Sequence, residues 1–221
     1  MIGTGLFFVI SRFKEDVSWI KDVSEDYIVY NKGEDDLVEY KTKRMPNIGA
    51  NQRDIFHFIH ENYDNLPELM AFVQGDPFDH CKDNSFYELI KSRKYTKLAQ
   101  YPDWPDGYWE TNTSWYVPCH TSYIRSKGIE YNCRYTDFHQ YATEIFSDYD
   151  YPAMLKFPPG SQFIVERRQC LFYPREFWSY LMSIFPDGEN LNGGAEAHII
   201  ERSMSLIFEN RYNPNPGILR R

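Results

Sequence analysis

The sequence lacks long apolar runs, cysteine motifs and an excess of positive charge. None of its 221 residues lies in a stretch approaching the roughly 18 apolar residues of a membrane-spanning helix, so no membrane span is predicted. The net charge of −8 gives no general attraction to a phosphate backbone, which argues against a nucleic-acid partner. The cysteines match no CxxC or zinc spacing and are predicted to be free thiols: Cys81, Cys119, Cys133 and Cys170.

Several catalytic motifs are also missing. There is no GxGxxG, no GxxxxGK[ST] and no GxSxG, so classical dinucleotide, P-loop and serine-hydrolase sites have no support. The apolar run at residues 5–10 has no basic region before it. It is predicted to be a buried first strand rather than a signal peptide, and a cytoplasmic location is expected.

The apolar pattern that is present alternates between strand-like and helix-like segments. Strands are predicted at 5–10, 27–30 and 68–73, with helices near 15–20 and 53–63 between them, which is the β-α-β order of a parallel sheet. We therefore predict one α/β domain with a mixed, mainly parallel sheet flanked by helices. Later helices are predicted at 85–93, 136–146, 174–185 and 195–208, with a strand at 160–165, an irregular region at 99–136 and an extended tail at 212–221.

Ligands of such sheets bind beyond the carboxyl ends of the strands. The loop after the third strand carries Asp76 and Asp79, three residues apart and followed by His80. Hard divalent cations prefer carboxylate oxygens, and a nucleotide diphosphate can supply the remaining ligands. The alternative is that an aspartate caps the next turn while His80 makes a structural hydrogen bond.

Cationic and amide side chains follow the first two strands. Arg12, Asn31 and Lys32 are candidates for holding a nucleotide, and Arg53 near the start of the next helix is a candidate phosphate contact. The alternatives are a surface ion pair of Arg12 with Glu15 or Asp16, and a solvated first-turn position for Arg53.

The last helix has one apolar face with an acidic margin. Helical spacing aligns Ala197, Ile200, Met204 and Phe208, and Glu201 falls beside them. Glu201 is a candidate general base with His198 as a metal or phosphate ligand, and Glu196 is the rival base. The alternative is a structural ion pair of Glu201 with Arg202 or Arg168.

Several segments in order resemble a known family. They are Ser11–Ile20, Val29–Gly33, Met45–Gly49, Asn62–Pro67 and Phe72–His80, followed by Gln162–Val165 and Ile200–Phe208. Together they resemble GT-A-type glycosyltransferase domains of fungi, algae and large DNA viruses, such as the chlorella-virus glycosyltransferase domain that decorates the major capsid protein.

The resemblance implies a GT-A fold, a UDP-linked nucleotide-sugar donor and Mn²⁺ or Mg²⁺ on the loop of Asp76 and Asp79, where GT-A enzymes carry a DxD motif. Here the two aspartates are three apart instead of two. Ala50-Asn51 stands where the family usually has a glutamate, and Met204 where many relatives have tryptophan.

We therefore expect sugar transfer to a hydroxyl of a glycan or glycoprotein, as in viral capsid glycosylation, in the host cytoplasm if the protein is viral. Residues 1–98 are expected to bind the donor and 99–221 the acceptor. The residues expected to bind the donor are Arg12, Asn31, Lys32, Arg53, Gln74 and Gly75. Those expected to bind the metal are Asp76, Asp79 and His198, and the expected catalytic base is Glu201 or Glu196. The expected acceptor wall consists of Trp104, Tyr108, Trp109 and Trp115. The alternatives are an inactive carbohydrate-binding module of the same fold and a metal-dependent phosphoesterase.

Overall fold

A six-stranded sheet forms the centre of the protein. The computed structural model describes residues 5–100, 108–113, 133–185 and 194–219. The strands are β1 (Phe7–Arg12), β2 (Tyr27–Asn31), β3 (Thr42–Arg44), β4 (Leu69–Gln74), β5 (Thr96–Lys97) and β8 (Phe163–Glu166), in the order β3-β2-β1-β4-β8-β5. The first four are parallel, and β8 runs antiparallel between β4 and β5. A separate antiparallel ribbon pairs β6 (Trp109–Asn112) with β7 (Met154–Phe157).

Helices cover both faces of the sheet. They are α1 (Ile20–Val23), α2 (Ala50–Glu61), α3 (Asp83–Leu89), α4 (Phe138–Ile145), α5 (Arg167–Leu171), α6 (Arg175–Ile184) and α7 (Gly194–Phe208). Short 3₁₀ turns lie at Tyr63–Asn65, Pro77–Asp79 and Pro159–Ser161. The predicted single α/β domain with a mainly parallel, helix-flanked sheet is confirmed.

Two apolar cores form because successive strand side chains point to opposite faces. In β1, Val9 joins the core under α2, α6 and α7, whereas Phe8 and Ile10 join the core under α1 and α3. A strand buried on both faces must be apolar at nearly every position. This explains the continuous apolar runs of β1 and β4 that made these strands recognisable in the sequence.

The sequence predicted the first strands and the long helices but missed the short strands. β3, β5 and the β6–β7 ribbon were not predicted, and the late strand begins at Phe163 because residues 159–161 form a 3₁₀ turn. The first helix begins at Ile20 rather than near Glu15, since the Glu15 and Asp16 carboxylates accept backbone N–H groups of the loop before it. The tail is only partly extended, with a turn at 216–219.

No helix in the described ranges is long and apolar enough to cross a bilayer. Three of the four cysteines are free thiols, as predicted: Cys81, Cys133 and Cys170. The fourth, Cys119, lies outside the described residues.

The register brings the carboxyl ends of the central strands to one edge. Ser11 pairs with Gln74 across β1 and β4, and Arg12 pairs with Asn31 across β1 and β2. The connections that leave β1 and β4 lead in opposite directions along the sheet, from β1 to β2 and from β4 to β5. This edge is therefore the switch point where open α/β sheets bind ligands.

The turn after β2 should tolerate no side chain at Gly33. A Cβ at this position would lie 1.9 Å from the carbonyl oxygen of Phe13, and that backbone atom can yield only if the loop after β1 moves. We expect Gly33→Ala to lower the free energy of unfolding by about 1–3 kcal/mol in urea titrations. Gly217→Ala is the matched control, because its Cβ would meet only the Asn215 side chain, at 3.2 Å. Equal stability of the two variants would contradict this account of the turn.

Candidate functional site

A polar cavity lies at the switch point. Its volume is about 190 Å³, and it opens between the exits of β1, β2 and β4 and the amino end of α2. The lining residues are Ser11, Arg12, Phe13, Glu15, Lys32, Asn47, Ala50, Asn51, Gln74, Asp76 and Asp79.

The loop after β4 is fixed to the rest of the sheet by its own backbone groups. Gly75 donates its N–H to the Ser11 carbonyl at 2.8 Å, and its carbonyl accepts the Trp19 Nε1 hydrogen bond at 2.9 Å. The buried Gln162 amide accepts from the Gln74 N–H at 3.1 Å and donates to the Pro77 carbonyl at 3.1 Å. Such anchoring gives the loop a defined geometry before any ligand binds.

Both aspartates of this loop line the cavity. Asp76 caps the following 3₁₀ turn, because its Oδ1 accepts the Phe78 N–H at 3.0 Å. The capping alternative is therefore correct for Asp76, which nevertheless lines the cavity as well. Asp79 is exposed at the cavity's edge. His80 is directed away, with its ring packed against Gly160, and burial lowers its pKa.

The donor set fits a divalent cation only together with a ligand. The described residues contain no cluster of three or more histidine, cysteine or acidic side chains suited to a metal ion. Mg²⁺, however, is commonly held by one or two carboxylates and substrate phosphates. Asp76 and Asp79 meet that requirement, whereas His198, the third predicted ligand, is not among the cavity's lining residues.

Lys32 belongs to a buried ion pair in the cavity wall. Its Nζ lies 3.0 Å from Asp54 Oδ2, and the two side chains are 3% and 1% exposed. Nζ also donates to the Ala50 carbonyl, and Ser11 Oγ donates to Asp54 Oδ2. Burial raises the pKa of Asp54, while the Lys32 ammonium and the Ser11 hydroxyl oppose that rise.

Arg12 and Asn31 hold the loops together. The Arg12 guanidinium binds both oxygens of Asp35, at 2.9 and 2.8 Å, and donates to Asn31 Oδ1 at 2.9 Å and to the Glu15 carbonyl at 2.7 Å. Its hydrogen bonds hold the pKa of Asp35 below the usual value. The ion pair is therefore with Asp35 and not with Glu15 or Asp16. Arg12 lines the cavity, but protein acceptors already use four of its five donors.

Arg53 lies in a different place from the one expected. It lines a neighbouring groove of about 560 Å³ between α2 and α6, together with His57, His60 and Phe185. The helix side chains that do line the switch-point cavity are Ala50 and Asn51, one turn earlier. Asn51 donates to the Gly160 carbonyl at 2.6 Å.

The two candidate bases occupy different surroundings. Glu201 Oε1 accepts the Gly160 N–H at 2.7 Å, Oε2 lies 3.8 Å from Arg202, and burial raises the pKa of Glu201. Gly160 in turn accepts from two cavity residues, Asn51 and Gln74. Glu201 therefore lies one backbone unit away from the cavity.

Glu196 lies at the start of α7, away from the cavity lining. Its side chain is 2% exposed, Oε1 accepts the Arg134 N–H at 2.8 Å, and Oε2 has no hydrogen-bond partner in the described part of the chain. Burial raises its pKa.

The expected acceptor wall is only partly described. Tyr108 lies under the Lys97 ammonium, 3.5 Å from its ring centroid, and Trp109 is half-exposed against Phe157. Trp104 and Trp115 lie outside the described residues.

The expected site left out six residues that line the cavity and one that supports it. The six are Ser11, Phe13, Glu15, Asn47, Ala50 and Asn51, and the supporting residue is Asp54. The signal for Ser11 and Glu15 was present, because Ser11 lies at the end of β1 and Glu15 lies in the loop that follows it. Asp54 had no comparable signal. Arg53 and Asp54 are adjacent in the sequence, and nothing in it shows that Asp54 contacts Lys32 while Arg53 lines the neighbouring groove.

Comparison with protein families gives one match. The model of the family described as "Protein of unknown function (DUF3431)" covers residues 8–217. The chain belongs to the DUF3431 family. Among curated proteins and among solved structures the comparisons found no match. In this DUF3431 member the matched range contains every residue that lines the cavity.

Glu196 should make the protein less stable as the pH rises. Because its folded-state pKa is raised above the ordinary 4.5, the folded state binds the proton more tightly than the unfolded state, and stability falls as pH increases through that interval. Glu196→Gln keeps the Oε1 acceptor but removes the charge. We expect its stability relative to wild type to increase between pH 5 and pH 7 in urea unfolding experiments.

Glu25→Gln, at an exposed position, serves as the control and should leave the pH dependence unchanged. A Glu196→Gln variant with the wild-type pH dependence would show that burial does not control this carboxyl group.

Proposed function

We propose that this protein is a metal-dependent glycosyltransferase that binds a nucleotide-sugar donor, UDP-linked by resemblance, at the switch-point cavity. The observation that carries the proposal is the separation of opposite charges within one cavity. Asp76, Asp79 and Glu15 lie at the exits of β4 and β1, whereas Lys32 lies at the exit of β2 beside the amino end of α2.

A metal–diphosphate has matching charges. A divalent cation would be held by Asp76 and Asp79, with phosphate oxygens as its other ligands. Phosphate oxygens would face the Lys32 ammonium and the amino end of α2, where backbone N–H groups and the helix dipole favour anions. When bound, the metal offsets the charge that develops on the leaving diphosphate.

The size of the cavity fits the charged centre of the donor. Complete small-molecule sites usually occupy about 300–1,000 Å³, and the described cavity has about 190 Å³. The described residues therefore suffice for a diphosphate and a cation, and the nucleoside and sugar would extend beyond them. Asn47, Asn51 and Gln74 supply neutral polar groups around that centre.

For the chemical step, Glu201 is the preferred base of the two candidates. It contacts Gly160, whose carbonyl accepts from the cavity residues Asn51 and Gln74, whereas Glu196 contacts Arg134. Glu196 remains the second candidate. The acceptor is proposed to be a hydroxyl of a glycan or glycoprotein, with Tyr108 and Trp109 as the described part of the aromatic wall, and viral capsid glycosylation is the proposed setting.

The charge of Asp76 should be required for metal-dependent donor binding. Asp76→Asn retains an oxygen that accepts the Phe78 N–H, so the 3₁₀ cap should survive while the carboxylate is lost. We expect Mn²⁺-dependent binding of UDP-sugars, measured by calorimetry, to weaken roughly tenfold or more. Asp26→Asn is the control, because this exposed aspartate precedes β2 at the opposite edge of the sheet. Undiminished Mn²⁺-dependent binding by Asp76→Asn would refute the metal assignment.

A screen of donors separates the proposal from its alternatives. Nucleotide sugars that bind the folded state should raise the thermal midpoint in the presence of Mn²⁺, and an active transferase should slowly release the nucleoside diphosphate. Binding without release would favour a carbohydrate-binding module. Cleavage of simple phosphate esters, with no response to nucleotide sugars, would instead favour a phosphoesterase.

A further inference from the structure

The Lys32 ammonium is built into the cavity wall. An ammonium group has three N–H donors. Two acceptors of the protein lie around Lys32 Nζ, namely the Ala50 carbonyl and Asp54 Oδ2, and no third acceptor is found in the described part of the chain. Because Lys32 also lines the cavity, one donor remains for a ligand.

This ion pair is a poor source of stability. Removing two charges from water is costly, and apolar replacements of buried ion pairs are often neutral or stabilising. Asp54 is also incompletely satisfied, since Oδ1 is buried without a hydrogen-bond partner among the described residues. Burying this ion pair costs free energy, and the pair lies beside the cavity. Its position is therefore better explained by a need to place a positive charge there than by a contribution to folding stability.

Other cations of the region are less suited to contact a ligand anion. Four of the five Arg12 donors are used by Asp35, Asn31 and the Glu15 carbonyl, and its charge is paired with Asp35. Arg53 lines the neighbouring groove. Among the described residues that line the cavity, Lys32 is therefore the cation with the larger share of its donors unused.

We propose that Asp54, supported by the Ser11 hydroxyl, is a positioning residue that holds the Lys32 ammonium at the cavity, where Lys32 binds the phosphate oxygens of the ligand. The proposal rests on the proposed function only in requiring a ligand that carries a diphosphate. It assigns Asp54 no contact with the ligand and no part in proton transfer.

A double-mutant cycle tests this coupling. The variants are Lys32→Met, Asp54→Asn and the double variant, and the probe is inorganic pyrophosphate with Mg²⁺, measured by calorimetry. We expect Lys32→Met to weaken binding about tenfold or more, because it removes a charge-assisted hydrogen bond to the ligand. Asp54→Asn should weaken binding less, about threefold to tenfold, because it disturbs only the alignment of that bond. The double variant should bind no more weakly than Lys32→Met alone.

Non-additivity distinguishes positioning from a general structural effect. If Asp54 acts through Lys32, its substitution has nothing further to disturb once the ammonium is absent. If Asp54 merely stabilises the fold, its substitution weakens binding equally in both backgrounds. Additive losses, or unchanged binding by Asp54→Asn, would overturn the proposal, as would a wild-type protein that does not bind pyrophosphate.

A second route avoids the single Lys32→Met variant, which leaves a buried carboxylate without its cation and can fail to fold. Ser11→Ala removes only the hydroxyl that donates to Asp54. It should weaken pyrophosphate binding about threefold in the wild-type background and have no effect in the neutral Lys32→Met/Asp54→Asn background. An equal loss in both backgrounds would contradict the proposal. Thermal midpoints of all variants establish that each is folded.

The outcome is separable from that of the proposed function. Non-additive pyrophosphate binding without any response to nucleotide sugars would uphold the role of Asp54 and refute the transferase. Mn²⁺-dependent binding of nucleotide sugars with an additive cycle would do the reverse.

Discussion

The turn at Gly160 joins the parts of the protein that surround the cavity. Its carbonyl accepts from Asn51 on α2 and from Gln74 at the end of β4, and its N–H donates to Glu201 on α7. The backbone φ of 80° and the His80 ring, which would lie 2.2 Å from a Cβ, both require glycine at this position. One residue, through its two backbone polar groups, therefore ties together two helices, the end of the central strand β4 and the loop that carries the aspartates.

This fixed frame explains how opposite charges coexist in a small space. Asp76 and Asp79 are held by a loop whose backbone is anchored to β1 and to Gln162. Lys32 is held from the other side by Asp54 and α2. Lys32 is therefore held by Asp54, and Asp76 by its own turn, so neither depends on the other for its position. Their separation leaves each group with unused capacity for a ligand of the opposite sign.

The sequence was informative where structure is local. Continuous apolar runs marked β1 and β4, and helical spacing marked the face of α7 that buries Ala197, Ile200, Met204 and Phe208. The antiparallel direction of β8 was not predicted, and neither was the existence of the short strands β3 and β5. These features depend on pairing with strands elsewhere in the chain. The same limit applied to the site. Neighbouring helical residues differ in direction by about 100°, so sequence could not tell that Asp54 rather than Arg53 supports the cavity.

The same geometry separates the two acidic residues of α7. Glu196 and Glu201 are five positions apart, which is a rotation of about 140° between their directions on the helix. One carboxylate therefore faces Arg134 and the other faces the Gly160 turn. Glu201 Oε1 holds that turn, so Oε2, on the side of Arg202, is its oxygen with capacity to receive a proton. Any proton transfer to Glu201 would thus act on Gly160, whose carbonyl Asn51 and Gln74 bind, and would couple the charge of α7 to the wall of the cavity.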